Sequence, residues 1–317
     1  FMWWLFFCIK WRRCLDEHFP GVGITLDIRN VSGEDLLSLA KEADEAGLYV
    51  VAAGDATHDT ISMLSAFAVA TTRIQLISSV ATWTRTPVTM ARACRTLDVL
   101  SNGRYLLGMG SMPPHFNEQF HDIPYKAPIQ RMREYIELIR LLWEATPSTP
   151  VEYEGEFYRV KNYRVTEPPP RPKLPILVGA TRPRMIRMAG ESADGVILNV
   201  IHSIPWLREV AIPAISEGAK RSGRSLDGFH KGISFYAVAT DDPDNARMAM
   251  RRTLAFHLAV PYGIEWLTAH GFPEEGNAIA TAVENGDRRG ISEAVSDRLL
   301  DTLSVVGTPD ELSLIHI

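Results

Sequence analysis

A (β/α)8 barrel is the fold class this α/β sequence predicts, and three observations carry the prediction. Short apolar runs alternate with helix-patterned runs along most of the chain, the mark of a parallel sheet covered by helices. Seven strand-like runs within 317 residues suit one barrel better than two doubly wound domains. The stretch PILVGATRPRMIRMAGESADGVILN, Pro175 to Asn199, contains the repeating unit in full: strand, glycine turn, helix, strand.

The elements follow in order. Gly21 to Leu26 is the first apolar run. Glu34 to Ala46 carries Leu36, Leu37, Ala40 and Ala43 at helical spacing, and Gly47 caps it. Leu48 to Ala53 is the second strand, and Thr60 to Ala70 is a helix with Ile61, Leu64, Ala68 and Val69 inward. Arg73 to Ser79 is the third strand. Val88 to Leu100 is helical, entered through Pro87 and stopped near Asn102-Gly103. Arg104 to Gly108 is the fourth strand. Ile129 to Trp143 is a long amphipathic helix with its stripe on Met132, Ile136, Ile139 and Leu142 or Trp143. The rhythm then breaks at 147–172, where the pattern VEYEGEFYRV predicts a hairpin and EPPPRPKLP a proline-rich linker. Strands five and six lie in Pro175 to Asn199. Ile204 to Ser222 is a helix kinked near Pro213. Gly232 to Ala239 is the seventh strand, and the rest to Leu303 is expected to be mostly helical.

Both ends look foreign to this pattern. The opening FMWWLFFCIKWRRC puts nine apolar residues before Lys10, Arg12 and Arg13. A secretory signal has the reverse charge order, and a membrane span needs about 18 apolar residues or more. Residues 1–20 are therefore expected to be an extraneous extension, with a short interfacial anchor as the alternative. At the other end Thr308 reads as an N-cap, Pro309 as the first helical residue, and acids follow. The barrel is expected at 21–312, truncated before an eighth strand that should follow this helix, with 313–317 as an artefactual tail.

Composition narrows the function classes. The chain is 46% hydrophobic and 22% charged with a net charge of −5, ordinary for a globular protein with a large core and weakly against nucleic-acid binding. Cys8, Cys14 and Cys94 are an odd number without metal-ligand spacing, which fits a reducing cytoplasm. The expected partner is a small-molecule substrate, with no nucleic acid and no membrane, and the expected assembly is a homodimer.

Barrel chemistry sits at the carboxyl ends of the strands. Those ends hold Asp27 and Arg29; Gly54, Asp55 and His58; Ser79, Val80, Thr82 and Trp83; Gly108, Gly110 and Ser111; Gly179 to Arg182; Asn199 and His202. No carboxylate pair at glycosidase spacing, no HxH or HExxH and no GxSxG occurs, which argues against a glycosidase, a metal centre and a nucleophile elbow. Small residues beside one indole suit a flat, phosphate-bearing cofactor. The turn Gly179 to Arg182 opens a helix, so its free N–H groups could hold a phosphate; an ordinary βαβ turn with solvated arginines is the equal alternative.

Several stretches together resemble one family. ISSVATWTRTP, MARACRTLDVLSNGRYLLGMG, the pair Asn117-Glu118, RMREYIELIRLLW and PILVGATRPRMIRMAGESADGVILN are similar to the bacterial luciferase-like superfamily over Gly21 to Leu312. The fifth-strand segment most resembles the methylenetetrahydromethanopterin reductase branch. The resemblance implies a barrel oxidoreductase that uses coenzyme F-420, slightly favoured, or FMN, for hydride transfer or monooxygenation of a small organic substrate. It implies a non-proline cis peptide at Ser79–Val80 behind the cofactor ring. It also implies cofactor contacts from Thr82, Trp83, Gly108, Gly110 and Asn199, and a phosphate loop at Gly179, Ala180, Thr181 and Arg182.

Some positions keep two readings. Trp83 is either core or a ring neighbour. Gly108 and Gly110 are either cofactor-approach glycines or a plain strand end. Asp55 and His58 are the catalytic candidates, but Asp55 reads equally as a helix cap, and His58 stands two residues further from it than the catalytic histidine of some relatives. Ser111 stands where sugar-phosphate dehydrogenase relatives carry a glutamate. His115, His121 and His202 are expected at the surface. The alternatives to the oxidoreductase are a non-catalytic flavin-binding relative and a barrel hydrolase or lyase without a redox cofactor.

Overall fold

The computed structural model describes residues 3–8, 21–26, 31–55, 58–166, 171, 173–260 and 263–313. Asp27 and Arg29 lie outside them. In chain order the elements begin β1 (Trp3–Cys8), β2 (Gly21–Thr25), α1 (Gly33–Glu45), β3 (Val50–Ala53), α2 (Thr60–Ala70), β4 (Gln75–Ser78), β5 (Ala81–Thr82), α3 (Pro87–Leu100) and β6 (Tyr105–Gly110). They continue through α4 (Pro128–Glu144), β7 (Val151–Glu154), β8 (Arg159–Tyr163), β9 (Ile176–Ala180), α5 (Pro183–Ser192), β10 (Gly195–Leu198), α6 (Ile204–Trp206), α7 (Ile212–Ser222) and β11 (His230–Ala239). The last are α8 (Pro243–Leu258), α9 (Gly263–Ala269), α10 (Pro273–Glu284), α11 (Arg288–Glu293), α12 (Asp297–Leu303), β12 (Ser304–Gly307) and α13 (Pro309–Ser313).

The chain divides into two compact units, a larger one of 6–198 and 213–233 and a smaller one of 1–5, 199–212 and 234–317. In the larger unit parallel strands run in the order β2-β3-β4-β6-β9-β10-β11. Three of the helices start at side-chain caps. Ser32 accepts from Asp35 N, Asp59 from Ser62 N, and Thr86 from Thr89 N with Pro87 behind it. After α1, Gly47 takes φ +78°, a left-handed turn that glycine adopts at little cost. Val50 and Ala52 of β3, Ile77 of β4, Leu106 of β6, Leu177 of β9 and Ile197 of β10 form one buried cluster. β7 and β8 pair antiparallel as the expected hairpin.

The smaller unit holds the second half of β11, whose Tyr236 to Ala239 pair in parallel with Ser304 to Gly307 of β12. Its core gathers Met250, Leu254, Leu258, Leu267, Leu299 and Leu300 from the helices after β11. β12, which directly precedes the Thr308 helix, is a parallel strand that the sequence pattern did not mark. Four residues directly abutting α12 gave no separate strand pattern. The expected cap itself is present: Thr308 Oγ1 accepts from Glu311 N at 3.3 Å. The interruption near Pro213 is a π-helical stretch, Leu207–Ala211, ahead of the proline. Within 1–20, β1 lies beside β2 in the strand order.

Candidate cofactor and active site

The peptide bond Ser79–Val80 is cis. It sits in a bulge. Ile77 pairs with Leu106 and Ala81 with Met109, so four steps on one strand oppose three on the other. Ser78 replaces the missing ladder bonds: its hydroxyl donates to Gly108 O and accepts from Gly108 N, each at 2.9 Å. The Tyr105 hydroxyl, 3.0 Å away, then donates to it. Burial holds that phenol well above its ordinary pKa, so it stays a donor.

The glycines around the bulge have a packing reason. A Cβ at Gly110 would lie 2.2 Å from Val80 Cγ2, and one at Gly179 would lie 2.6 Å from Val80 Cγ1. A Cβ at Gly108 would strike the Ser78 carbonyl oxygen at 1.9 Å. The Val80 side chain therefore packs down onto β6 and β9. Gly108 and Gly110 lie inside β6, which runs two residues past the expected end of the fourth strand. The bulge and the Gly179 loop, expected to share one mouth, are in contact at the carboxyl ends of parallel strands.

Asp55 is a hub. Its Oδ1 accepts from Thr60 N at 3.0 Å and from Arg85 Nη2 at 2.9 Å; its Oδ2 accepts from Thr82 N at 3.0 Å and from Arg85 Nη1. Arg85 also reaches Asp59, the α2 cap. Burial disfavours the Arg85 charge, but the two carboxylates outweigh it and hold its pKa above the ordinary value. This network joins the ends of β3 and β5 to the start of α2. His58 is exposed beside it.

Trp83 is 2% exposed, and its Nε1 donates to Asn117 Oδ1 at 2.6 Å. Asn117, wholly buried, donates in turn to Ser111 O and Pro113 O. Asn117 thus anchors the indole from within a π-helical turn, Phe116–Phe120. The Arg131 guanidinium lies 5.1 Å from the Trp83 ring, 5.8 Å from Phe157 and 5.6 Å from Tyr158, tying the hairpin to this corner. Glu134 fastens the hairpin turn by accepting from Glu156 N at 3.1 Å and Phe157 N at 2.9 Å.

At the fifth strand, Ala180 is buried, Thr181 half-buried and Arg182 exposed. Arg182 is the extended N-cap of α5, Pro183 follows at the first helical position, and no side chain caps this helix. Asn199, exposed in the smaller unit, follows β10. Ser79 and Val80 are half-buried, and Thr82 is 1% exposed. His115 and His121 are exposed as expected, but His202 is buried at 5% exposure, a correction. It packs among Trp206, Trp266 and His270. The signal missed is a mirrored i,i+4 pair, HSIPW and WLTAH.

The luciferase-like monooxygenase pattern matches residues 21–313. The chain belongs to the luciferase-like monooxygenase family. This family member is 34% identical over 259 residues to 5,10-methylenetetrahydromethanopterin reductase of Archaeoglobus fulgidus, covering 79% of this chain and 75% of that one. It is 28% identical over 296 residues to a putative coenzyme F-420-dependent oxidoreductase of Mycobacterium tuberculosis, covering 86% and 84%. The solved coenzyme F-420-dependent tetrahydromethanopterin reductase of Methanopyrus kandleri superposes with a TM-score of 0.74 at 30% identity, covering 91% of this chain and 86% of that one. The expected luciferase-like barrel is the fold of this protein.

Proposed function

We propose that this luciferase-like protein is an oxidoreductase that takes coenzyme F-420 in preference to FMN and reduces or oxidises a small organic substrate. The observation that carries the reading is the contact between the Val80 bulge and Gly179: a backbone platform and a helix start adjoin at one end of the sheet. The similarity to two reductases of the methanopterin branch supports the choice of F-420.

The residues fit such a group. Ser79 and Val80 would support the ring, with Thr82 and Trp83 beside it. Gly179, Ala180, Thr181 and Arg182 would hold the phosphate where α5 lacks a side-chain cap and its first amides lie at the positive end of the helix dipole. When bound, the deazaflavin exchanges a hydride with a C=O, C=N or conjugated C=C bond, whereas FMN also allows oxygen chemistry.

The protein's share is orientation and exclusion of water. Asp55 accepts directly from the Thr82 amide, is braced by Arg85, and so holds the loop after the bulge. With four donors on its carboxylate, Asp55 positions this loop, and His58 is the remaining proton carrier of the two catalytic candidates. The hairpin, fastened by Glu134 and Arg131, shields the Trp83 corner from solvent.

We also propose a cytoplasmic homodimer without a nucleic-acid partner. The net charge of −5 and the cysteine usage support the compartment and the lack of nucleic acid. Val69 on α2, 70% exposed, and Val99 on α3, 55% exposed, offer an apolar face for a second copy. No described helix is long and apolar enough to cross a membrane.

Parallel titration with F-420 and FMN, read by quenching of cofactor fluorescence, tests the proposal. Saturable quenching at lower F-420 than FMN concentration is expected. Failure of both to bind overturns the cofactor reading, and tighter FMN binding overturns the preference. One observation favours a second reading, a cofactor-binding relative without turnover: Asp55 is fully engaged, and Asp59, the acid next to His58, is itself taken up by Arg85 and the Ser62 amide. Binding without turnover of any aldehyde or enone would favour it.

A further inference from the structure

The smaller unit contains a closed set of four rings that the function above leaves unused. Trp266 and His270 stack with centroids 3.9 Å apart, His270 and Trp206 at 4.9 Å, and Trp206 and His202 at 4.3 Å. His202 and His270 lie 5.5 Å apart. The four side chains are between 5% and 8% exposed.

The hydrogen bonds set the tautomers. His270 Nδ1 lies 2.8 Å from Trp266 O, and His202 Nδ1 lies 3.0 Å from Asn199 O. A carbonyl oxygen only accepts, so each Nδ1 carries the proton. Burial lowers the His270 pKa to about 4, against the pull of the Trp266 carbonyl and with the help of nearby His202. The ring is therefore neutral near pH 7, and its Nε2 is a bare lone pair. That Nε2 is buried without a partner, and so is the indole Nε1–H of Trp266. One orphan accepts and the other donates. Both are costly to bury unanswered.

We propose that this cluster is a binding site for the hydroxyl group of a neutral, apolar small molecule, which would donate to His270 Nε2 and accept from Trp266 Nε1. A hydroxyl answers both orphans with one atom. A carbonyl would answer only the indole, and a hydrocarbon neither. The rings around the two orphans supply the apolar contact that such a molecule needs. His202 and Trp206 stand at the start of the helical run that opens with α6, and the two orphan-bearing rings, Trp266 and His270, stand at the seven-residue α9 and the residue after it. The site stands on these contacts alone and does not require the cofactor reading.

The test uses the whole chain with phenol as probe, toluene as its hydroxyl-free match and benzaldehyde as its acceptor-only match. The Trp266 indole N–H resonance, assigned by its loss in Trp266→Phe, is followed by NMR. Phenol is expected to shift it saturably and to bind at least about tenfold more tightly than toluene, roughly 1.4 kcal/mol, with benzaldehyde between them. His270→Phe keeps an aromatic ring and removes Nε2; its phenol affinity should fall to within about twofold of toluene's. Trp266→Phe, read by ligand-detected NMR, should weaken phenol about fivefold and serves if His270→Phe fails to fold. An unmoved indole resonance (a resident water only), equal phenol and toluene affinities, or an unchanged phenol preference in the variants overturns the proposal. A protonated His270 Nε2 at pH 7, read from imidazole nitrogen shifts, also overturns it.

Discussion

Asp55, half-buried, and His270, buried, are polar groups whose surroundings differ in kind. Asp55 meets four donors, and its charge is matched by Arg85. His270 has one hydrogen bond, to a carbonyl, and its second nitrogen has none. The first region supplies every partner of its ion pair just past the end of β3, where a loop must be held still. The second keeps its polar group by refusing the charge and packing it between indoles. A satisfied network is rigid scaffold; an unsatisfied one is a place with a use for another molecule.

Removing Asp55 should break this contrast most severely. Asp55→Ala leaves Arg85, 17% exposed at its side chain, with only the more exposed Asp59, and strands the Thr60 and Thr82 amides. A loss of about 3–4 kcal/mol is expected from urea unfolding, the usual cost of breaking a buried pair from one side. A loss below about 1 kcal/mol would show that the network is effectively solvated.

Acid should act on the other region. His270 has a folded pKa of about 4 against an ordinary 6.5. The unfolded chain binds its proton first, so the contribution of neutral His270 is present above pH 6.5 and drains away as pH falls toward 4. The expected loss is on the order of 2 kcal/mol between pH 7 and 4.5. His270→Phe should flatten that slope; identical slopes in variant and wild type would mean that the imidazole is charged or hydrated when folded. Asp98, raised by burial against the pull of Arg171, works in the opposite direction and is common to both proteins.

The smallest effect is the most diagnostic. Trp266→Phe removes an orphan donor along with part of a ring, so its stability should change by less than about 1 kcal/mol. A larger loss in thermal melting would mean that the indole N–H has a partner after all.

Local pattern determined a good deal of this protein. The caps at Ser32, Asp59 and Thr86, the hairpin, and the strand and helix on either side of Gly179 follow from short-range sterics and hydrogen bonding, which neighbouring residues settle among themselves. The cis bond at Ser79–Val80 was legible only through resemblance, because no local rule marks a non-proline cis peptide. Tertiary structure alone decided the rest. It turned Ser304 to Gly307 into a parallel strand, since pairing with β11 supplies what four residues cannot. It gave Gly110 and Gly179 their reason, since the Val80 methyls arrive from a strand remote in sequence. It also converted Asp55 from a candidate acid into a hub and brought two histidines some 70 residues apart into one cluster. Partners that distant are set by how strands and helices stack, and no window of neighbouring residues contains that information.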